Sequence, residues 1–148
     1  MKGWLRGRPI RKEERGEALI EFVLLAPILI LLLLGLVDFG RLFDAWLVTT
    51  NAAREGARYA SIYAAKDYLT NEQVTQLSTQ KTYQYLVDGF DGRSDVDYTI
   101  GDISVTLPPA RATQPVTVNV SVRVQVWALL NIFMSNNTTL QGSATMRI

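Results

Sequence analysis

Cysteine and histidine are both absent from the 148 residues. Without cysteine there is no disulfide framework, no thiolate nucleophile and no cysteine-based zinc site. Without histidine there is no Ser-His-Asp triad and no imidazole metal ligand. Net charge is nearly absent as well, at +1, and so small an excess excludes a nucleic-acid-binding face. No phosphate-cradling loop or ligand cluster stands in for what is missing. The expectation is a protein that is not an enzyme, with no metal, no cofactor, no small-molecule substrate and no nucleic-acid partner.

What is present is unevenly spread. The chain is 48% hydrophobic, but residues 18–37 (ALIEFVLLAPILILLLLGLV) are apolar apart from Glu21, Pro27 and Gly35. Twenty helical residues span about 30 Å, the hydrocarbon thickness of a bilayer. The alternative of a buried core helix is opposed by size, since so short a chain could hardly surround it on all sides. A cleaved secretory signal is the second alternative, and the length of the run and Asp38-Phe39-Gly40-Arg41 at its end argue against it. Residues 1–16 carry six Lys/Arg against two Glu, whereas residues 17–148 carry nine basic against twelve acidic residues. The positive-inside bias therefore predicts a cytoplasmic N-terminus, a single crossing and an extracytoplasmic remainder. The predicted division is a cytoplasmic basic leader 1–16, a membrane helix 17–38, an extracytoplasmic helix extension 39–65 and a small α+β domain 66–148.

Glu21 stands inside the apolar run. A carboxylate there costs several kcal/mol unless it is paired, protonated or able to reach the surface. Its setting is Arg15-Gly16-Glu17-Ala18-Leu19-Ile20-Glu21-Phe22, where a basic stretch ends at a glycine five residues before the Glu. This resembles the type III signal of type IV pilins and pseudopilins. The resemblance implies that a prepilin peptidase cuts between Gly16 and Glu17, making Glu21 the fifth residue of the trimmed chain. It also implies that Glu21 pairs with the new terminal ammonium of a neighbouring subunit. Glu17 stands where that class commonly has Phe or Met.

Further motifs follow in order: Pro27, Gly35, Asp38-Phe39-Gly40-Arg41 and Asn51-Ala52-Ala53-Arg54-Glu55-Gly56-Ala57-Arg58-Tyr59-Ala60. Together with residues 15–22 they are similar to the TadE-like family, pilin-like proteins of tight-adherence (Flp-type) pilus systems. The resemblance covers residues 15–61. It implies a type IV pilin-like architecture and partners among membrane lipid, prepilin peptidase, other pilin-like subunits and the pilus assembly platform, with the chain part of an oligomer.

Residues 38–65 contain no Pro and no turn cluster, so the membrane helix is predicted to run on to about residue 65, roughly 70 Å in all. Phe39, Phe43, Trp46, Thr50, Ala53, Ala57, Ala60 and Ala64 form one helical stripe. A second row, Ala52-Gly56-Ala60, has the small-xxx-small spacing that favours close helix contact. These faces pack either against the chain's own sheet or against another subunit. Arg54, Glu55 and Arg58 are either solvated surface or a partner contact. Pro27 removes one helical hydrogen bond, and it is either a tolerated membrane proline or a place where the helix bends.

Beyond residue 65 the expectations are a linker over 66–71, a helix over 72–87 capped by Thr70 or Asn71, and a turn-rich loop at 88–95. That loop's acidic residues are either ordinary turn chemistry or a calcium site, and the spacing is not that of an EF-hand. A strand is predicted over 96–107 and a loop over 108–115. Residues 116–127 give the clearest strand pattern, with Val at every even position and polar residues opposite, apart from Trp127. Residues 128–134 are a short apolar turn or loop, and 139–148 a last strand. Three antiparallel strands on a long helix make an α+β class. The functional expectation is a structural pseudopilin of a tight-adherence pilus, processed after Gly16. The alternative is an uncleaved single-pass anchor whose outer domain binds another envelope component.

Overall fold

The computed structural model describes residues 12–66, 68–108, 115–125 and 137–147. Two helices and four strands follow in order: α1 (Lys12–Ala64), α2 (Asn71–Gly89), β1 (Val96–Asp97), β2 (Ile103–Thr106), β3 (Val116–Gln125) and β4 (Asn137–Met146). The class is α+β, a long apolar N-terminal helix bearing a small antiparallel sheet.

α1 is 53 residues long, about 80 Å at helical rise. It starts five residues before Glu17, and it continues unbroken past Pro27 and across the junction at residues 38–39. Its two halves are built oppositely. Over residues 19–37 the bulky side chains point outward, with Leu24 68% and Val23 65% exposed. From Ala45 onward it is the small side chains that are covered: Ala45, Ala52, Ala53, Ala57 and Ala60 are fully buried. The covering material is α2, β3 and β4.

The sheet is organised around β3. β4 pairs along one edge for the whole length, from Val116↔Met146 to Gln125↔Asn137. β1 and β2 share the other edge in tandem, all pairs being antiparallel. The strict alternation of β3 sends Val116, Val118, Val120, Val122 and Val124 into the core, each contributing about 1.5–3 kcal/mol relative to exposure. Leu140, Gly142 and Ala144 of β4 and Ile103 and Val105 of β2 stand opposite these valines on the same face.

Three expectations need correction. The segment expected as one strand over 96–107 is two strands around a 3-10 turn at Ile100–Asp102. The register explains why: five residues separate Asp97 from Ile103, but only two separate their partners Arg123 and Val120. The surplus is looped out, and its turn is held by Asp102, whose carboxylate accepts from the Thr99 amide at 2.9 Å. The sheet accordingly has four strands, not three. α2 runs past its expected end at 87 to Gly89, and its buried face is Val74, Ser78, Thr82 and Leu86, while Val87 is exposed. Its start is as expected, with Thr70 and Gln73 forming a reciprocal capping box. The leader up to residue 11, the loop residues 109–114, Trp127 and the apolar run 128–134 lie outside the described residues.

Buried hydroxyls on α2 follow from how near it comes to α1. Ser78 Oγ donates to the Gly56 carbonyl at 2.9 Å, and Thr82 Oγ1 donates to its own helix at Ser78 O, 2.8 Å away. A Cβ at Gly56 would collide with the Thr82 hydroxyl. On the sheet side, a Cβ at Gly142 would lie 2.8 Å from Thr49 O and 3.0 Å from Thr50 Cα. β4 thus lies directly on helix backbone, which has no side-chain freedom with which to yield.

Gly142→Ala is therefore expected to cost about 2 kcal/mol through overpacking. Gly101→Ala, whose nearest new neighbour would be 3.7 Å away, is expected to change stability by under about 0.5 kcal/mol. Denaturant unfolding of the detergent-solubilised chain, followed by circular dichroism, compares the two.

Candidate functional site

The lower half of α1 carries the features that the sequence marked out. Gly16, Glu17 and Glu21 all lie within the helix and are exposed. A Cβ at Gly16 would meet nothing within 4 Å, and the same holds for Gly35 and Gly40. A helical glycine costs about 1 kcal/mol relative to alanine, so three glycines weaken α1 without serving any contact among the described residues. Glu21 makes no ion pair with the described residues, and its neighbours Phe22, Leu24 and Leu25 are more than half exposed. α1 is the one described helix long and apolar enough to cross a membrane, and its most apolar window has no part buried in the fold.

Immediately beyond that window, Phe39, Phe43 and Trp46 form a ladder of stacked rings, with centroids 6.3 and 5.8 Å apart. All three are exposed, a placement suited to the lipid interface. The stripe drawn through them in the sequence divides here. Its aromatic end faces outward, whereas Ala53, Ala57 and Ala60 face the sheet and α2. Gly56, in the second small row, touches α2. Of the two readings left open for the small residues, the structure adopts packing within the chain.

Residues 16–58 match the family model of the TadE-like proteins. No curated protein and no solved structure matches the chain. The match covers 43 of the 148 residues. It begins at the glycine before Glu17 and ends at Arg58, so it takes in the apolar window, the aromatic ladder and most of the small face. It stops short of α2 and the sheet.

Within the TadE-like segment, Arg54, Glu55 and Arg58 project from α1. Arg58 grips Glu55 with two hydrogen bonds of 2.9 and 2.7 Å, which hold the Glu55 carboxyl below its ordinary value. Arg54 is exposed and forms no hydrogen bond or ion pair with the described residues.

One cluster was not legible in advance. Arg41 and Asp44 of α1 meet Arg93 and Asp95 from the turn after α2. Arg93 binds Asp95 through two nitrogens, at 3.1 and 2.7 Å, and Asp44 at 2.6 Å, and Arg41 adds a contact to Asp95 at 3.1 Å. The backbone of the same residue joins the sheet, since the Gln125 amide donates to the Asp95 carbonyl at 2.7 Å. Asp95 thereby ties α1, the turn and β3 together beside the aromatic ladder. The acidic loop that admitted a calcium site in the sequence is occupied differently: Asp95 turns to two arginines and Asp97 faces Arg123 at 3.7 Å.

Hydrogen bonds from Arg93 hold the Asp95 carboxyl below its usual range, against the opposing effect of burial. A depressed folded-state value means stabilisation that is fully present above the unfolded-state value and lost as pH falls through the folded one. Stability is expected to fall below about pH 4. Asp95→Asn is expected to remove about 2 kcal/mol at neutral pH and to flatten the acid limb, as measured by denaturant unfolding across that range.

Proposed function

We propose that this protein is a structural pseudopilin of a tight-adherence pilus, inserted with its N-terminus in the cytoplasm and trimmed after Gly16 by a prepilin peptidase. The observation that carries the reading is the lower half of α1. It presents Gly16 and Glu21 at type III signal spacing on a helix whose bulky apolar side chains and one embedded carboxylate have no counterpart among the described residues. A glycine that no packing requires is suited to a narrow protease site, since it leaves the backbone bare. A carboxylate with no ion pair among the described residues is suited to the ammonium that the same cut creates on a neighbouring copy. Such a pair would offset a charge that lipid alone does not tolerate.

The charge distribution supports the orientation. Six basic residues precede Glu17 against two acidic ones, and the small domain then lies on the far side of the membrane. Removing residues 1–16 leaves 132 residues whose side chains sum to −3. The outer domain, tied to α1 by packing and by Asp95, moves with the helix as one body when the subunit enters a filament. Pro27, on this reading, is where α1 bends on leaving the bilayer.

Mass spectrometry of the chain from a host with an active prepilin peptidase is expected to find Glu17 as the first residue. A chain still beginning at Met1 identifies an uncleaved anchor instead. Glu21→Ala is expected to insert normally but to lower piliation, and unchanged piliation would contradict the assembly role.

A further inference from the structure

α1 and α2 leave an open groove between them, lined by Asp44, Leu47, Val48 and Asn51 on one side and Tyr85 and Asp88 on the other. Its lining combines apolar Leu47 and Val48 with the acidic Asp44 and Asp88. Asp44 has one cation, Arg93, and its side chain is still 62% exposed. Asp88 is exposed and has no ion pair or hydrogen bond with the described residues. The groove can therefore take another positive charge.

The same face of α1 supplies one. Counting by threes and fours from Asp44 leads through Leu47 and Asn51 to Arg54, about 15 Å farther along the helix. Arg54 is exposed and unpaired among the described residues, whereas Arg58 is engaged by Glu55. One continuous face thus runs from an acidic groove near the membrane to a free guanidinium farther out.

We propose that this face binds a second copy of the chain, with Arg54 of one copy seated in the groove of the next between Asp44 and Asp88. The occupant follows from charge and membrane geometry. All copies enter the membrane in one direction, which excludes an antiparallel pair. A parallel pair at equal height would set Arg54 beside Arg54 and Asp88 beside Asp88. Opposite charges meet only when one copy is displaced along the helix axis by about 15 Å. A displaced parallel contact uses two different patches on each copy and does not close on itself, so it propagates as an open array. The inference rests on the reading that copies assemble with one another, and it adds which surfaces meet and in what stagger.

The absence of native cysteine makes disulfide trapping clean. Two differently tagged copies, one Arg54→Cys and one Asp88→Cys, are expressed together in cells with the rest of the pilus system and mildly oxidised. The expected result is a mixed-tag disulfide dimer, at least about fivefold above a control pairing Arg54→Cys with Gln76→Cys on the outer side of α2. Charge reversal is read the same way, through a reporter pair that leaves Arg54 and Asp88 in place: Ser61→Cys, two turns beyond Arg54 on the same face, with Tyr85→Cys, which the stagger brings to one level. Adding Arg54→Glu to the first copy is expected to lower that yield about fivefold, and adding Asp88→Arg to the second to recover it. Fivefold corresponds to about 1 kcal/mol, in the range of one exposed ion pair. Equal yields in target and control pairs, no dimer, or trapping of a different envelope protein by Arg54→Cys would each overturn the proposal. The N-terminal mass of the same samples reports processing independently, so a trimmed chain without the dimer refutes the groove and leaves the pseudopilin reading standing.

Discussion

Everything outside the bilayer depends on how closely the outer half of α1 approaches its neighbours. A helix that must present bulky side chains to lipid lower down presents alanine and glycine higher up, so that α2 and β4 can lie against its backbone. Gly56 meets Thr82, and Gly142 meets the Thr49 carbonyl. The core is thin as a result, five β3 valines facing a row of alanines, with Val74, Leu86, Phe90 and Ile103 filling in beside them. A small domain with little side-chain volume on one wall has little apolar area to bury. Backbone-level proximity and the Ser78–Gly56 hydrogen bond supply complementarity where bulk does not.

The second structural element is electrostatic. Asp95 gathers Arg41 and Arg93 at the membrane-side end of the domain, where the aromatic ladder begins. The sheet is bonded to the backbone of the same residue. This fixes the domain at both ends of its contact with α1, by packing above and by charge below. A force applied along α1 is therefore transmitted to the whole domain, which suits a subunit drawn out of a membrane.

Periodicity made part of this legible. The 18–37 run, the continuation of α1 and the alternation of β3 are repeated signals within one element, and each appears as expected. The alanine stripe was equally plain, but a period alone does not say which partner covers it. Ser78 and Thr82 carry no such signal, because hydroxyls mark a buried face only when another helix backbone lies within reach. The break between β1 and β2 comes from surplus length relative to β3, a comparison between segments that no single-strand pattern contains. Arg93 and Asp44 are 49 residues apart, and nothing local to either announces the pair. In the candidate site, Gly16 and Glu21 were legible as a spaced motif, whereas the groove beside Asp88 arises only once α2 is laid on α1.

α1 changes solvent along its length, with lipid around its bulky half and protein around its small half. Spin labels on single cysteines, in a chain that has none of its own, measure this directly in bilayers. Labels at residues 24, 28 and 31 should collide with dissolved oxygen and ignore an aqueous nickel chelate. A label at Arg54 should respond to the chelate, and one at Ala57 to neither. Chelate access at residues 24–31, or free access at Ala57, would contradict the account.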